Sequence, residues 1–263
     1  LIIGFAITGA WWFACSLPLM KHYKQTAYQP PVKGAFLQTF RQLWQTIKEA
    51  KKQKHIFLYL IAFFFFIDGV YTIIDMATAY GKSLGLDTTG LLLALLVTQI
   101  VAFPCALIFG RVAQKYSNVT LIKICIAAYT CIALFAIQLD QVWEFWLLAV
   151  CVGMFQGGIQ AMSRSYFAKI IPSEKSGEYF GLYDICGKGA AFMGTTLVGV
   201  FTQLTGSANA GISVIAVIFI AGFFFFGKAA KLERSMTSIL QKEKRCYFCG
   251  STANIEEHHI YFG

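Results

Sequence analysis

Residues 56–80 read IFLYLIAFFFFIDGVYTIIDMATAY, and Asp68 and Asp75 are the only charged side chains in this run. About 20 apolar residues in a helix span the hydrocarbon core of a bilayer, so the run predicts a transmembrane helix. A charged carboxylate in hydrocarbon costs about 2.5–3.5 kcal/mol on insertion scales, so the two aspartates need a reason to be there. They are seven residues apart, which places them on one face of a helix.

The composition of the whole chain indicates the same class. Apolar residues make up 57% of the sequence and charged residues 13%, whereas about 25% of a soluble domain is charged. Runs long enough to span a membrane also occur at 1–20, 90–110, 119–138, 143–163, 180–204 and 210–227. We therefore expect an all-α, multi-pass integral membrane protein with seven transmembrane helices.

The basic residues fall on alternate connections between these runs. Of the 22 Lys and Arg residues, all but Lys82 and Lys188 lie in 21–55, 111–123, 164–175 or beyond 227. By the positive-inside rule these segments, including the central loop and the C-terminus, are predicted to be cytoplasmic, as in a bacterial-type plasma membrane. The net charge of +9 then reflects topology, and we expect the lipid bilayer rather than a nucleic acid as partner.

We expect the chain to be a fragment that contains parts of two helical bundles. Leu1 already lies in an apolar run, with no initiating Met, so we expect that an N-terminal part is missing. Residues 1–20 are predicted to be the last helix of an N-terminal bundle, and 21–55 a basic central loop. Residues 56–234 are predicted to form a six-helix C-terminal bundle, and 235–263 a cytoplasmic tail.

The central loop contains one amphipathic segment. GAFLQTFRQLWQTIKEAKKQK, residues 34–54, carries Phe36, Phe40, Leu43 and Ile47 at helical spacing. This pattern predicts a helix that lies along the membrane surface.

The turn after the third run carries a recognisable motif. It reads GRVAQKYS from Gly110, and it resembles the signature turn of the major facilitator superfamily, Gly-x-Leu-x-Asp-Arg/Lys-x-Gly-Arg/Lys. The resemblance predicts gating roles for Gly110, Arg111 and Lys115. The sequence departs from the pattern at Gln114, where the family has Asp, and at Ser117, where it has Gly, so the charge relay of that gate is in doubt.

A longer match narrows the family. The stretch QGGIQAMSRSYFAKIIPSEKSGEYFGLYDICGKGAAFMG from residue 156, the following TQLTG, and IDGVYTII at 67–74 resemble the vacuolar amino-acid-effluxer-like, autophagy-related branch of that superfamily. The resemblance implies twelve helices, a central cavity and alternating access, with amino acids as substrates of the fungal members. We expect a monomeric secondary transporter of a small solute with no enzymatic activity.

Two other hypotheses stay open at this stage. One is a membrane scaffold or receptor that transports nothing. The other is a membrane protein fused to a truncated nuclease-like zinc module. ATP coupling is not indicated, because the sequence contains no Gly-x-x-x-x-Gly-Lys-Ser/Thr phosphate loop.

The two aspartates are expected at different depths. Counted from Ile56, Asp68 lies about 18 Å into a core about 30 Å thick, and Asp75 lies about 28 Å up, near the outer surface. Asp68 is predicted to bind the solute or a coupling ion, H⁺ or Na⁺, and Asp75 to stand at an entrance to the same cavity. The alternative for Asp68 is a hydrogen bond to helix backbone beside Gly69.

Further polar residues are candidates for the cavity. Asp184 and Lys188 are one turn apart and either neutralise each other or form a gate that exchanges partners with Arg164. Amides that can bind a zwitterion, or link helices, are Gln99, Gln156 and Gln160. Small residues that recur every four positions predict close helix approach at Gly153, Gly157 and Ala161, at Gly187 and Ala191, and at Ala190 and Gly194.

The last residues carry a different signal. Cys246-x-x-Cys249 followed by His258 and His259 has a spacing that suits Zn²⁺. The segment resembles the start of an HNH-type zinc module, but the second Cys pair and the terminal Asn/His are absent. A natural fusion and a sequence join near residues 235–245 both remain open.

Overall fold

The computed structural model describes residues 2–22 and 35–242, and within these ranges the regular structure is entirely helical. Seven of the described helices are long and apolar enough to cross a membrane. The predicted all-α, multi-pass integral membrane fold is therefore confirmed. The described residues fall into two compact units, one up to residue 41 and one from residue 42 onward.

The helices follow the predicted runs but extend beyond most of them. In chain order they are α1 (Ile2–His22), α2 (Ala35–Lys52), α3 (Lys54–Ser83), α4 (Thr88–Val112), α5 (Asn118–Ala136), α6 (Val142–Ile170), α7 (Ser176–Thr205) and α8 (Ala208–Lys242), with a short 3₁₀ turn at Ser173–Lys175. Helix α8 continues through residue 235, where the sequence predicts a tail to begin.

In the first unit, the hydroxyl groups of α1 form hydrogen bonds to the backbone of the same helix. The hydroxyl of Thr8 donates to the carbonyl of Gly4 at 2.9 Å, and that of Ser16 to the carbonyl of Trp12 at 2.8 Å. Such bonds back to the preceding turn leave no hydroxyl without a partner in hydrocarbon, which suits a transmembrane helix.

In the second unit, α3 is the central helix and packs mainly against α7 and α8. Its aromatic side chains Tyr59, Phe63 and Phe66 are buried with Phe226 of α8. The Tyr59 hydroxyl donates to the carbonyl of Ser163 in α6 at 2.7 Å, so the polar end of this buried ring has a partner. This aromatic core holds the helices that carry the candidate site.

Helix α4 packs closely against α6 because glycines line the contact. A Cβ atom at Gly153 would lie 2.6 Å from the carbonyl oxygen of Thr98, and one at Gly157 would lie 2.8 Å from Cβ of Ala106. Both distances are too short for a side chain. The prediction of close helix approach at these two positions is confirmed.

The part of α2 that belongs to the second unit, from Gln42 onward, is docked on the bundle. Leu43 and Ile47 pack against the core. The buried hydroxyl of Thr46 donates to a carboxylate oxygen of Glu178 at 2.7 Å, and Lys175 pairs with Glu49 at 2.7 Å. The predicted helix is confirmed, but these apolar residues face protein instead of the membrane surface.

Candidate functional site

A cavity of about 640 Å³, the charged cleft, opens between α3, α6 and α7. Phe63, Ile67 and Tyr71 of α3 form one wall, and the small residues Gly157 of α6 and Gly187 of α7 leave the space open opposite them. Five charged or amide side chains line the cleft beside the tyrosines Tyr71 and Tyr183, namely Asp75, Gln160, Arg164, Asp184 and Lys188. Sequence analysis nominated all five, and the fold brings them together from three helices.

Arg164 and Asp184 form an ion pair across the cleft. A guanidinium nitrogen of Arg164 in α6 donates to Oδ1 of Asp184 in α7 at 2.9 Å. The guanidinium also lies 5.8 Å from the centre of the Tyr183 ring, a cation–π arrangement. The two charged side chains remain 62% and 56% exposed, so water or a solute can reach the pair.

The ion pair changes the expectation for Lys188. Asp184 is bonded to Arg164, so the local Asp184–Lys188 neutralisation considered from the sequence is not what the structure contains. Within the described part of the chain, neither Lys188 nor Asp75 makes an ion pair. The cleft therefore offers one free cationic and one free anionic side chain beside a closed pair.

The polar groups occupy different levels of the cleft. At 1.5 Å per residue, Arg164 lies about 9 Å from the end of α6 and Asp184 about 12 Å from the start of α7. Lys188 is about 6 Å further along α7, and Asp75 lies about 12 Å from the end of α3. The ion pair is thus nearer the end of the bundle that carries the basic connections.

Asp68 does not line this cleft. Its side chain is fully buried, and Oδ1 accepts a hydrogen bond from the backbone amide of Gly194 in α7 at 2.8 Å. Its neighbours Ile67 and Tyr71 are the residues that face the cleft. The expectation that Asp68 and Asp75 look onto one cavity was wrong, because α7 covers the face of α3 at Asp68 and leaves it open at Asp75.

Gly194 and Thr72 are next to Asp68, although the sequence did not single them out as site residues. A Cβ atom at Gly194 would lie 2.8 Å from Cγ of Asp68 and would also meet the hydroxyl of Thr72, so only glycine allows this approach. Oδ2 of Asp68 and the hydroxyl of Thr72 are buried, and neither has a hydrogen-bond partner among the residues that the structure describes. The position of Thr72, one turn after Asp68 on the same helix, is the signal that could have identified it.

The predicted glutamines separate into two places. Gln160 lines the charged cleft, whereas Gln99 and Gln156 line a smaller cavity of about 50 Å³ between α3, α4 and α6. Oε1 of Gln156 is buried there and has no hydrogen-bond partner within residues 2–22 and 35–242. The expected shared role of Gln156 and Gln160 is therefore corrected: they are one turn apart but line different cavities.

Comparison with known proteins supplies the family. The profile described as "Vacuole effluxer Atg22 like" matches residues 1–239. The chain belongs to this Atg22-like family. It is 38% identical over 241 residues to the "Uncharacterized MFS-type transporter YxiO" of Bacillus subtilis, an alignment that covers 92% of this chain and 56% of that relative.

Fungal relatives of this Atg22-like protein are more distant. "Autophagy-related protein 22-2" of Aspergillus niger is 26% identical over 250 residues, and "Autophagy-related protein 22-1" of Aspergillus clavatus is 27% identical over 243 residues. Each alignment covers 81% of this chain, and 41% and 40% of the two relatives respectively. The chain thus spans about half the length, or less, of the curated relatives it matches.

In this Atg22-like chain the motif turn lies away from the charged cleft. Gly110 and Arg111 are at the end of α4 and Lys115 is in the turn that follows, all three exposed. Among the described residues, Arg111 and Lys115 form no ion pair. Ser117, the departure from the family pattern, has a structural role: its side chain caps α5 by accepting from the Thr120 amide at 3.3 Å.

The predicted zinc ligands lie outside the described residues. Cys246, Cys249, His258 and His259 follow the end of α8, and the match to the Atg22-like family ends before them at residue 239. The part of the chain that the structure describes contains no cluster of three or more side chains suited to a metal ion. Zinc binding by the tail stays a prediction from spacing.

Proposed function

We propose that the whole protein is a secondary transporter that moves a small zwitterionic solute, amino acids first, across the membrane by alternating access. The observation that carries this proposal is the charged cleft, where free groups of both signs lie in a cavity large enough for a ligand. The printed names of the family and of the Bacillus subtilis relative, an effluxer and a transporter, agree with it.

The free side chains of the cleft offer one charge for each end of an amino acid, at two levels. Along α7, Lys188 lies about 9 Å before the Gly194 amide that bonds Asp68. Along α3, Asp75 lies about 10 Å beyond Asp68, so the two side chains meet the solute in turn. Lys188 is available to the carboxylate of the solute at one level, and Asp75 to its ammonium group at the other. The amide of Gln160 can donate to one end and accept from the other. Charge-assisted hydrogen bonds of this kind fix the orientation of a solute while the apolar wall of α3 contacts its side chain.

Arg164 and Asp184 then act as a gate. An exposed ion pair contributes only about 0–1 kcal/mol, so a solute carboxylate can compete for Arg164 at small cost. Exchange of partners would free Asp184 and loosen the contact between α6 and α7 on the side with the basic connections. A second gate at Gly110, Arg111 and Lys115 rests on the family resemblance of that turn.

Asp68 is proposed as the coupling site, distinct from the solute site. A buried carboxylate without a cationic partner is costly, and binding of a proton removes that cost. Because Ile67 and Tyr71 on either side face the cleft, a change at Asp68 would be felt at the solute site. Sodium is the other candidate coupling ion, and no cofactor is needed for transport.

The proposed arrangement in the cell follows the charge pattern. Helix α1 would be the last helix of an N-terminal bundle and α3–α8 the C-terminal bundle. The protein would act as a monomer in a bacterial-type plasma membrane, with the central loop and C-terminus in the cytoplasm. It would have no enzymatic activity and no nucleic-acid partner.

The test is flux through the full-length protein in proteoliposomes. A neutral amino acid, its methyl ester and its N-acetyl derivative are offered at equal concentration, with empty liposomes as blank. We expect flux of the zwitterion only, because each derivative lacks one of the two charged ends. Absence of flux for every compound in a panel of the 20 amino acids would contradict the proposal and favour the scaffold or receptor hypothesis.

The tail is proposed to bind zinc. Two thiolates and two imidazoles are a common set of ligands for a structural Zn²⁺ ion. Zinc content of the purified full-length protein, measured by mass spectrometry, should approach one ion per chain and fall in a Cys246→Ser, Cys249→Ser double variant. Equal zinc content in both proteins would reject the site and leave the transport proposal untouched.

A further inference from the structure

A third cavity, the apolar cavity, lies in the half of the bundle where α3 and α7 end. Its volume is about 350 Å³, and residues of α3, α5, α6, α7 and α8 line it. Among the residues that the structure describes, no charged side chain contributes to its wall. It shares no lining residue with the charged cleft and is therefore a separate site. Four residues of its wall, Ile73, Ala77, Phe145 and Leu148, also line the small cavity of Gln99 and Gln156.

The apolar cavity has a closed inner end and an open mouth. Ala133 of α5 and Ile215 of α8, in its buried part, are 1% and 3% exposed. Ala79, Ser83 and Gln203, near the C-terminal ends of α3 and α7, are exposed. The cavity therefore opens at the end of the bundle opposite the basic connections, and its depth runs inward between the helices.

Water is a poor occupant of this space. A buried water molecule needs two to four polar partners. The Tyr80 hydroxyl is already bonded to the carbonyl of Leu139 at 3.0 Å, and the Ser83 hydroxyl to the carbonyl of Tyr80 at 2.6 Å. Thr202 and Gln203 stand at the mouth, so the inner part offers apolar carbon alone.

An empty cavity is also unfavourable. The free-energy cost of a void rises with its volume, because the lining atoms lose their contacts. A volume of about 350 Å³ falls within the range of roughly 300–1,000 Å³ that is usual for ligand sites. A slender apolar molecule that enters from the mouth would restore those contacts without any polar group left unpaired.

We propose that the apolar cavity binds one acyl chain of a phospholipid from the adjacent leaflet. The surrounding bilayer supplies acyl chains at a concentration that no other apolar molecule reaches. The side chains of Ser83, Thr202 and Gln203 at the mouth are uncharged and polar, which suits the ester region of a lipid more than a charged headgroup. The chain would fill the space between α3, α5 and α8 and hold their ends together.

Photo-crosslinking of the full-length protein in lipid bilayers tests this site. A phospholipid with a diazirine in the middle of one acyl chain is incorporated, and labelled residues are mapped by mass spectrometry. Ile220 and Phe224 of α8, which are 56% and 57% exposed and line neither cavity, should be labelled by bulk lipid and serve as the positive control. Label on Ile215 as well is expected, because only a chain inside the cavity can reach it; label confined to exposed residues would overturn the proposal.

A matched pair of variants gives a second, independent reading. Ala133→Phe puts a large side chain into the buried part of the cavity, whereas Ala127→Phe adds the same bulk to an exposed position on the same helix. Loss of the Ile215 label in the first variant and its retention in the second support the site. An unchanged Ile215 label in a folded Ala133→Phe protein would overturn it, and Ala136→Phe, closer to the mouth, replaces that variant if it does not fold.

Discussion

Oδ1 of Asp68 and the backbone amide of Gly194 are joined by a hydrogen bond of 2.8 Å across the interface of α3 and α7. The contact exists because Gly194 has no side chain to hold the helices apart. Because of this contact, Asp68 does not line the charged cleft, whereas the neighbouring residues Ile67 and Tyr71 do. The fully buried carboxyl of Asp68 thus lies next to the charged cleft and is not part of it.

Asp68→Asn should abolish proton-linked flux of amino acids in proteoliposomes and leave the fold intact. The asparagine oxygen can accept the same hydrogen bond from Gly194, but the amide cannot take up and release a proton. The measurement is uptake driven by a pH gradient, with solute binding measured in parallel.

Asp75→Asn is the matched control for that experiment. It makes the same change seven residues further along α3, at an exposed position in the cleft. We expect weaker binding of the solute with the dependence on the pH gradient retained. Unchanged flux in Asp68→Asn would remove Asp68 from the coupling mechanism.

Gly194→Ala should destabilise the protein by about 1–3 kcal/mol, the usual cost of forcing extra volume into a packed core. The added methyl group would meet Thr72 and Asp68, and both are fully buried. Gly181→Ala on the same helix meets nothing within 4 Å and should be neutral or stabilising by up to about 1 kcal/mol. Thermal unfolding in detergent measures both, and equal unfolding temperatures would refute the close approach of α3 and α7.

Arg164→Asp and Asp184→Arg should each abolish solute flux, because each places two like charges in the cleft. The exposed pair contributes about 0–1 kcal/mol, so either protein should remain folded. The double variant restores opposite charges and should recover part of the flux. If the double variant is expressed normally but has as little flux as the single variants, the ion pair does not act as a gate by exchange of partners. Transport would then require Arg and Asp at their original positions.

Thr46→Val should loosen the docking of α2. Valine keeps the shape of the side chain and removes the hydrogen bond to Glu178, a loss of about 0.5–1.5 kcal/mol. The measurement is the rate of tryptic cleavage after Lys48 and Lys51 in the reconstituted protein, which should rise. Thr46→Ser keeps the hydroxyl and should be cleaved at the rate of the unchanged protein, and equal rates for all three would reject the contact.

The sequence by itself was sufficient for the class of fold and for the inventory of polar residues. Transfer of a helix into hydrocarbon depends on its own length and composition, so runs such as 56–80 predict transmembrane helices without knowledge of their neighbours. The charged residues that interrupt those runs can be identified from the sequence for the same reason. All five charged and amide residues of the charged cleft were among the candidates, whereas its tyrosines, Tyr71 and Tyr183, were not.

The tertiary structure decided which of those candidates share a site. Asp68 and Asp75 lie on one face of α3, yet α7 covers the first and leaves the second open. Gln156 and Gln160 are one turn apart on α6 but line different cavities. Asp184 pairs with Arg164 of another helix and not with Lys188 of its own. Each outcome depends on how neighbouring helices pack. The periodicity of a single helix predicts which residues share a face, but it does not predict which helix packs against that face.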